Sequence, residues 1–200
     1  MAEIPASLVK ALRDATGAGM MECKAALQEA NGNIEEATLI LRKRGLAQAA
    51  KKTGRATSEG LIGSYIHMGG KIGVLVELNC ESDFVARTDE FQNVLRELSL
   101  QIAAANPQYV SRDQVPADII ERERGVYRAQ MENSGKPPQV IEKIIEGKLG
   151  SFYEQVCLVD QPSIRDPKQT VGAMLQAAIA KLGENISVAR FVRFKVGEKI

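Results

Sequence analysis

The sequence predicts an α+β protein in which a three-helix module precedes a core with a small, about three-stranded antiparallel sheet packed against helices. Apolar residues recur every three or four positions in residues 5–50, as on one face of a helix. After Gly60 the apolar period becomes two, which is typical of strands, and helical patterns then return before a final strand. We therefore expect a helical module with a basic linker in residues 1–54 and an α+β core or dimerisation domain in residues 55–200.

The N-terminal module contains three predicted helices, separated by breaks at Thr16–Gly19 and Asn31–Gly32. Asn33 and Glu36 have the spacing of a capping box, which predicts the start of the third helix. The segment Ala47–Ser58 is small, polar and basic, and we interpret it as the linker. The predicted helical faces are Leu8, Leu12 and Ala15, then Met20, Cys23, Leu27 and Ala30, then Ile34, Ala37 and Leu41.

The core begins with a predicted hairpin. Residues 61–67 and 72–78 have strand patterns, and Gly69-Gly70 between them suits a tight turn. Thr88 is a predicted N-cap for the next helix, which should end before Pro107.

Three further elements complete the predicted core. Residues 116–149 are helical but charged, with an interruption at 134–138, and the sequence does not indicate what this segment does. Asp166-Pro167 is predicted to open a helix that Gly183 ends. A last strand is predicted over 186–196. Arg190 shares the register of its apolar residues, a conflict that a bulge or a buried partner would have to resolve.

Composition indicates a soluble globular protein. The chain of 200 residues is 44% apolar and 26% charged with a net charge of +1, and no apolar run reaches the length of a membrane span. The N-terminus lacks the pattern of a secretory signal. Cys23, Cys80 and Cys157 have no CxxC spacing, so we expect reduced thiols and a cytoplasmic location.

The motifs of enzymes are absent from the sequence. His67 is the single histidine and has no partners at zinc-ligand spacing. No phosphate-binding loop or nucleophile elbow occurs. A thiol enzyme using Cys80 with His67 is the one catalytic alternative. We predict that the chain is not an enzyme and needs neither cofactor nor metal.

A basic run, Arg42–Arg55, suggests RNA- or ribosome-associated binding as an alternative function. Between Glu36 and Glu59 the sequence has no acidic residue. No aromatic residue is interleaved for stacking on bases, however, so a solvated helix end and linker explains the run better.

The loop Asn79–Arg87 is the strongest candidate site. It connects the most regular strand pattern to the best-capped helix, and it presents the large apolar residues Phe84 and Val85. Taken alone, these residues fit packing against the chain's own core better than contact with a partner, and the family resemblance below reverses this preference.

Three stretches of the sequence resemble the elongation factor Ts family. The first is LRDATGAGMMECK at 12–24 and the last is GENI at 183–186 with RFVRF at 190–194. The middle stretch runs from YIH at 65–67 through VLVELNC at 74–80 to DFVAR at 83–87. Ser82 stands where the family usually has Thr, which keeps the hydroxyl. The chain resembles short members with one core subdomain, which are expected to dimerise.

The resemblance implies a guanine-nucleotide exchange factor for elongation factor Tu, with no direct role for nucleic acid. The N-terminal helices resemble the family's ubiquitin-associated-type (UBA-like) module, which docks on the nucleotide-binding domain of the partner. Asp83 and Phe84 match residues that disturb its Mg²⁺ and phosphate site, so that GDP leaves. The implied wedge residues are Ser82, Asp83, Phe84, Val85 and Arg87, and the implied module contacts are Leu12, Arg13, Thr16, Gly17, Ala18, Gly19, Met20 and Met21.

Two questions remain open from the sequence. A ubiquitin-type adaptor would use the three-helix module alone and would leave the core unexplained. The dimer surface lies either in Tyr127–Leu158 or along the last strand, Phe191–Val196.

Overall fold

The computed structural model describes residues 4–132 and 134–198, and it has the predicted α+β fold. The chain divides into two compact units. The first unit holds the described residues up to Gly60 together with Cys80–Phe91 and Leu175–Ser187. The second unit holds Leu61–Asn79, Gln92–Met174 and the described residues from Val188 onward.

The three predicted N-terminal helices are present as α1 (Ala6–Thr16), α2 (Met20–Glu29) and α3 (Ile34–Lys52). Asn33 caps α3, because its side-chain oxygen accepts a hydrogen bond from the Glu36 N–H at 3.1 Å. The buried residues that pack these helices together are Val9, Leu12, Cys23, Ala26, Leu27, Ala30, Ala37 and Leu41.

Helix α3 is longer than the sequence suggested, so the linker prediction was partly wrong. The helix continues to Lys52, six residues into the predicted linker of 47–58. Ala49 is completely buried, and its burial stabilises the extension of a segment rich in good helix formers. The connection to the sheet is therefore limited to residues 53–58.

The sheet has the order β1 (Glu59–Ile66), β2 (Ile72–Cys80), β3 (Ile186–Lys195) and is antiparallel. The β1–β2 turn uses Gly69 and Gly70 with φ of +87° and +68°, a conformation that favours glycine. The strand β2 alternates as predicted. Its inner face is buried at Val74, Val76, Leu78 and Cys80.

The register conflict at Arg190 is resolved by a change of phase in β3. Ile186 and Val188 are buried, the next two residues are both exposed, and alternation resumes with Phe191 half-buried. A shift of one residue is what a β-bulge produces. Arg190 consequently lies on the outer face, where its Nε donates to Glu77 Oε2 at 2.7 Å.

The helix α5 (Asp89–Ala105) begins and ends where the sequence predicts. The Thr88 hydroxyl accepts a hydrogen bond from the Phe91 N–H at 3.3 Å, and the helix ends before Pro107. The charged segment forms α6 (Ala117–Met131) and α7 (Pro138–Val156), joined by ion pairs such as Arg124–Glu146 at 2.8 Å. Among the described helices, none has the length and apolarity that crossing a membrane requires.

The start of α8 (Val171–Leu182) differs from the prediction, which placed it at Asp166. The Asp166 carboxylate instead accepts a hydrogen bond from the Lys168 N–H at 3.2 Å and closes a local turn. The Thr170 hydroxyl caps the helix by accepting from the Ala173 N–H at 3.1 Å. The end is as predicted, with Gly183 at φ +79°.

Gly63 of β1 provides a test of the packing between the sheet and α5. A Cβ at this position would lie 2.7 Å from Leu95 Cγ, closer than carbon atoms pack. We expect Gly63→Ala to lower the free energy of unfolding by about 1–3 kcal/mol, measured by chemical denaturation.

Gly147→Ala is the matched control for this substitution. Gly147 lies in α7 with open space around the Cβ position, so alanine should stabilise the helix by about 0.5–1 kcal/mol. Equal stability of the two variants would contradict the close approach of β1 and α5.

Candidate functional site

The candidate site is a single helical turn between β2 and α5, here called the Phe84 turn (residues 82–87). Its centre is the helix α4 (Asp83–Ala86). Ser82 caps this helix, since its hydroxyl oxygen accepts from the Val85 N–H at 3.4 Å. On the other side, the Thr88 hydroxyl donates to the Val85 carbonyl at 2.7 Å. A side-chain hydrogen bond therefore holds the backbone of the turn at each end.

The Phe84 turn separates two neighbouring apolar side chains. Phe84 is 82% exposed, whereas Val85 is 7% and Ala86 is 1% exposed. Consecutive residues of a helical turn point in different directions, so burying Val85 and Ala86 directs Phe84 outward. Packing against the core, one of the two interpretations open at the sequence level, holds for Val85 but not for Phe84.

An ion pair flanks the exposed phenylalanine. The Asp83 carboxylate receives two hydrogen bonds from Arg87, from Nη2 at 2.5 Å and from Nε at 3.3 Å. Both side chains are largely exposed. The turn therefore displays one apolar ring beside a carboxylate–guanidinium pair.

Hydrogen bonds from a distant segment anchor the Phe84 turn. Glu184 accepts from the Ser82 N–H at 2.9 Å and from the Ser82 hydroxyl at 2.6 Å. The Asn185 N–H donates to Glu81 at 2.6 Å, and the Asn185 side chain donates to the Arg55 carbonyl at 2.8 Å. Sequence reasoning did not assign Glu184, although it lies in the GENI stretch at 183–186.

The second predicted residue set forms the corner between α1 and α2. Gly17 has φ +70°, and its N–H donates to the Arg13 carbonyl at 2.7 Å. The Glu22 carboxylate accepts from the Gly19 N–H at 3.3 Å. The exposed members are Arg13, Gly17, Gly19, Met20 and Met21, while Thr16 and Ala18 are half-buried.

Leu12 differs from the rest of this second set because it is completely buried. It belongs to the core of the three-helix module and supports the corner from beneath. The corner and the Phe84 turn both belong to the first unit.

The thiols do not form a catalytic arrangement. Cys80 is buried, and burial followed by the nearby Glu184 carboxylate raises its thiol pKa. Burial likewise raises the pKa of Cys157 to about 11. The His67 Nδ1 shares a hydrogen bond with the Tyr65 hydroxyl at 2.9 Å. A buried thiol with a raised pKa is a poor nucleophile, so these contacts disfavour the thiol-enzyme alternative.

Half of the basic run is engaged within the chain. Arg44 pairs with Glu29, and Arg55 lies 3.6 Å from Glu81. The Lys52 ammonium donates to the Gly183 carbonyl at 2.6 Å. These contacts favour a structural use of Arg42–Arg55 over RNA binding. Within the described residues, no group of three or more His, Cys, Asp or Glu side chains is arranged to hold a metal ion.

Comparison with known proteins finds relatives that match nearly the whole chain. The family model described as Elongation factor TS matches residues 3–198. The elongation factor Ts of Fervidobacterium nodosum is 61% identical over 196 residues, covering 98% of this chain and 100% of the relative. That of Thermosipho melanesiensis is 59% identical over 195 residues, covering 98% and 100%. That of Solibacter usitatus is 56% identical over 198 residues, covering 99% and 93%.

Matches of such extent show the family as well as the fold. Each relative is aligned along nearly the full length of both chains, so the Phe84 turn and the α1–α2 corner lie inside the matched region. The chain therefore belongs to the elongation factor Ts family of translation elongation factors.

Proposed function

We propose that the chain is a guanine-nucleotide exchange factor that binds elongation factor Tu in its GDP form and promotes GDP release, so that GTP can replace it. It makes and breaks no covalent bond and works in the cytoplasm with its partner. The observation that carries the proposal is Phe84, an 82% exposed aromatic side chain on a turn fixed at both ends. Exposing a phenylalanine on a rigid turn is unfavourable unless a partner covers it.

In the proposed mechanism, Asp83 and Phe84 insert near the Mg²⁺ and phosphate site of the partner. The α1–α2 corner, within the module of residues 1–54, docks on the nucleotide-binding domain of the partner. The core of residues 55–200 contacts a further domain. The module and the core supply binding free energy, and Phe84 directs it to the nucleotide.

Magnitudes support this division of labour. Burying one phenylalanine contributes about 1.5–3 kcal/mol, which changes nucleotide affinity about ten- to hundredfold. A nucleotide held at nanomolar affinity is bound by about 12 kcal/mol. Phe84 alone is therefore insufficient, and the remaining contacts must stabilise the partner state in which the phosphate site is disturbed.

Reciprocal coupling follows from the same mechanism. If the chain lowers the affinity of the partner for GDP by some factor, GDP must lower the affinity of the partner for the chain by the same factor. The chain must also bind the nucleotide-free state of the partner more tightly than the GDP-bound state. A ligand with equal affinity for both states would leave the equilibrium between them unchanged.

We further propose that the chain acts as a homodimer through the outer face of its sheet. Exposed apolar side chains on that face include Ile62, Leu75, Val192 and Phe194. Ile62, Leu75 and Val192 are neighbours, because all three line one groove of about 300 Å³. The alternative surface, Tyr127–Leu158, is crossed by the ion pairs of α6 and α7 and is less apolar.

The direct test of exchange is the release of fluorescent GDP from elongation factor Tu, chased with excess unlabelled GDP. Substoichiometric amounts of the chain should accelerate release, because an exchange factor acts repeatedly. Failure of the folded chain to accelerate release from a competent partner would overturn the proposed function.

Phe84→Ala tests the wedge. The maximal release rate should fall about ten- to hundredfold, since the inserted ring is lost. Affinity for elongation factor Tu in its GDP form, measured by calorimetry, should change less than about threefold, because the ring is inserted only as the nucleotide leaves. Val126→Ala, which truncates an exposed apolar side chain on α6, should leave both quantities unchanged. Equal losses of rate and affinity in Phe84→Ala would contradict the wedge role.

Leu75→Glu tests the dimer. A carboxylate at the centre of the apolar face would be desolvated on association, so the dissociation constant should rise by about tenfold or more. Light scattering coupled to gel filtration should give twice the chain mass for the unmodified protein and a shift toward one chain mass for the variant. Val126→Glu is the control. An unmodified protein that is monomeric at micromolar concentration would contradict the dimer.

A further inference from the structure

We propose that Glu184 is a positioning residue for nucleotide exchange, which holds the Phe84 turn in its active conformation before the partner binds. The inference rests on the proposed function of the turn and goes beyond it by assigning a role to a residue that acts through Ser82. Four hydrogen bonds within the first unit carry it.

The Glu184 carboxylate binds a single residue with both of its oxygens. Oε2 accepts from the Ser82 N–H at 2.9 Å and Oε1 accepts from the Ser82 hydroxyl at 2.6 Å. Hydrogen bonds to a carboxylate are shorter and stronger than those between neutral groups. The residue that starts α4 is therefore held by its backbone and by its side chain at once.

Glu184 also orients the cap of α4. A serine hydroxyl has one hydrogen to donate and two lone pairs to accept with. Because the Ser82 hydrogen is donated to Glu184, the lone pairs of the oxygen remain available to the Val85 N–H, at 3.4 Å. The contact thus selects the hydroxyl orientation that closes the turn beneath Phe84.

The carboxylate is itself held in place. Glu184 follows Gly183, which ends α8 in a left-handed conformation at φ +79°. The next residue, Asn185, donates its N–H to Glu81 at 2.6 Å. The pairs 81–82 and 184–185 therefore exchange hydrogen bonds in both directions, and the Arg55 carbonyl accepts a further bond from the Asn185 side chain at 2.8 Å.

Without these hydrogen bonds of Glu184 and Asn185, here called the Ser82 clamp, α4 would not be stable. A helix of four residues is too short to be stable by itself, since forming the first turn is unfavourable. Phe84 would then sample several orientations, and its ordering entropy would oppose the insertion step. We expect the loss to appear in the maximal rate of GDP release rather than in the docking of the α1–α2 corner.

The experiment measures release of fluorescent GDP from elongation factor Tu across a range of concentrations of the chain. Glu184→Ala should lower the maximal rate about tenfold and change the half-saturating concentration less than about threefold. Glu184→Gln should lower the maximal rate less than Glu184→Ala does, because its amide oxygen can still accept the Ser82 hydroxyl hydrogen.

A double-mutant cycle locates the effect. If Glu184 acts through Ser82, the rates of Ser82→Ala, Glu184→Ala and the double variant should be strongly non-additive. Glu97→Ala is the control, because it removes a half-buried carboxylate paired with Arg165 in the second unit. The control should exchange at the unmodified rate. Thermal unfolding of each variant shows that it is folded at the assay temperature.

The outcomes separate the two proposals. No acceleration by the unmodified chain would overturn the proposed function itself. Acceleration by the unmodified chain and loss in Phe84→Ala, with Glu184→Ala fully active, would overturn the positioning role alone. A Glu184→Ala defect confined to the half-saturating concentration, or additive with Ser82→Ala, would also overturn it. A lowered maximal rate with partial recovery in Glu184→Gln supports it.

Discussion

The hydrogen bonds between Ser82 and Glu184 join segments 102 residues apart and determine where Phe84 points. An exposed aromatic ring has few packing contacts with its own chain, so neighbouring residues must fix its orientation. Burial of Val85 and Ala86 fixes the orientation of Phe84 on the core side, and the Ser82 clamp fixes it at the start of the turn. Rigidity of this kind reduces the entropy lost when a partner covers the ring.

The first unit joins this turn to the three-helix module. The Lys181 ammonium pairs with Glu90 at 2.6 Å, and the stem of the same lysine lies 3.3 Å from the Cβ position of Gly17. Lys181 thus contacts both the α1–α2 corner and the helix that follows the Phe84 turn. A partner that docks on the corner would meet Phe84 at a defined place, which is what a device that converts binding into nucleotide release requires.

The sequence predicts the features that depend on local chemistry. The caps at Asn33 and Thr88 and the glycine turn of the hairpin all lie where pattern and composition place them. Features that depend on tertiary contacts were missed. Helix α3 extends past the predicted boundary because Ala49 is buried. Helix α8 begins at Val171, after the Thr170 cap, because Asp166, an equally good cap, closes a turn instead. In the candidate site, local pattern identified the loop but could not show that Val85 is buried, Phe84 exposed and Glu184 attached.

Amide hydrogen exchange in the free chain, followed by NMR, tests most directly whether the Phe84 turn is ordered before a partner arrives. The Ser82 N–H is bonded to Glu184 and the Val85 N–H to the Ser82 hydroxyl, so both should exchange much more slowly than amides of an unstructured peptide. Exchange of both at unstructured rates, with the buried amides of β2 still protected, would show that the turn is disordered until it binds and would contradict the account.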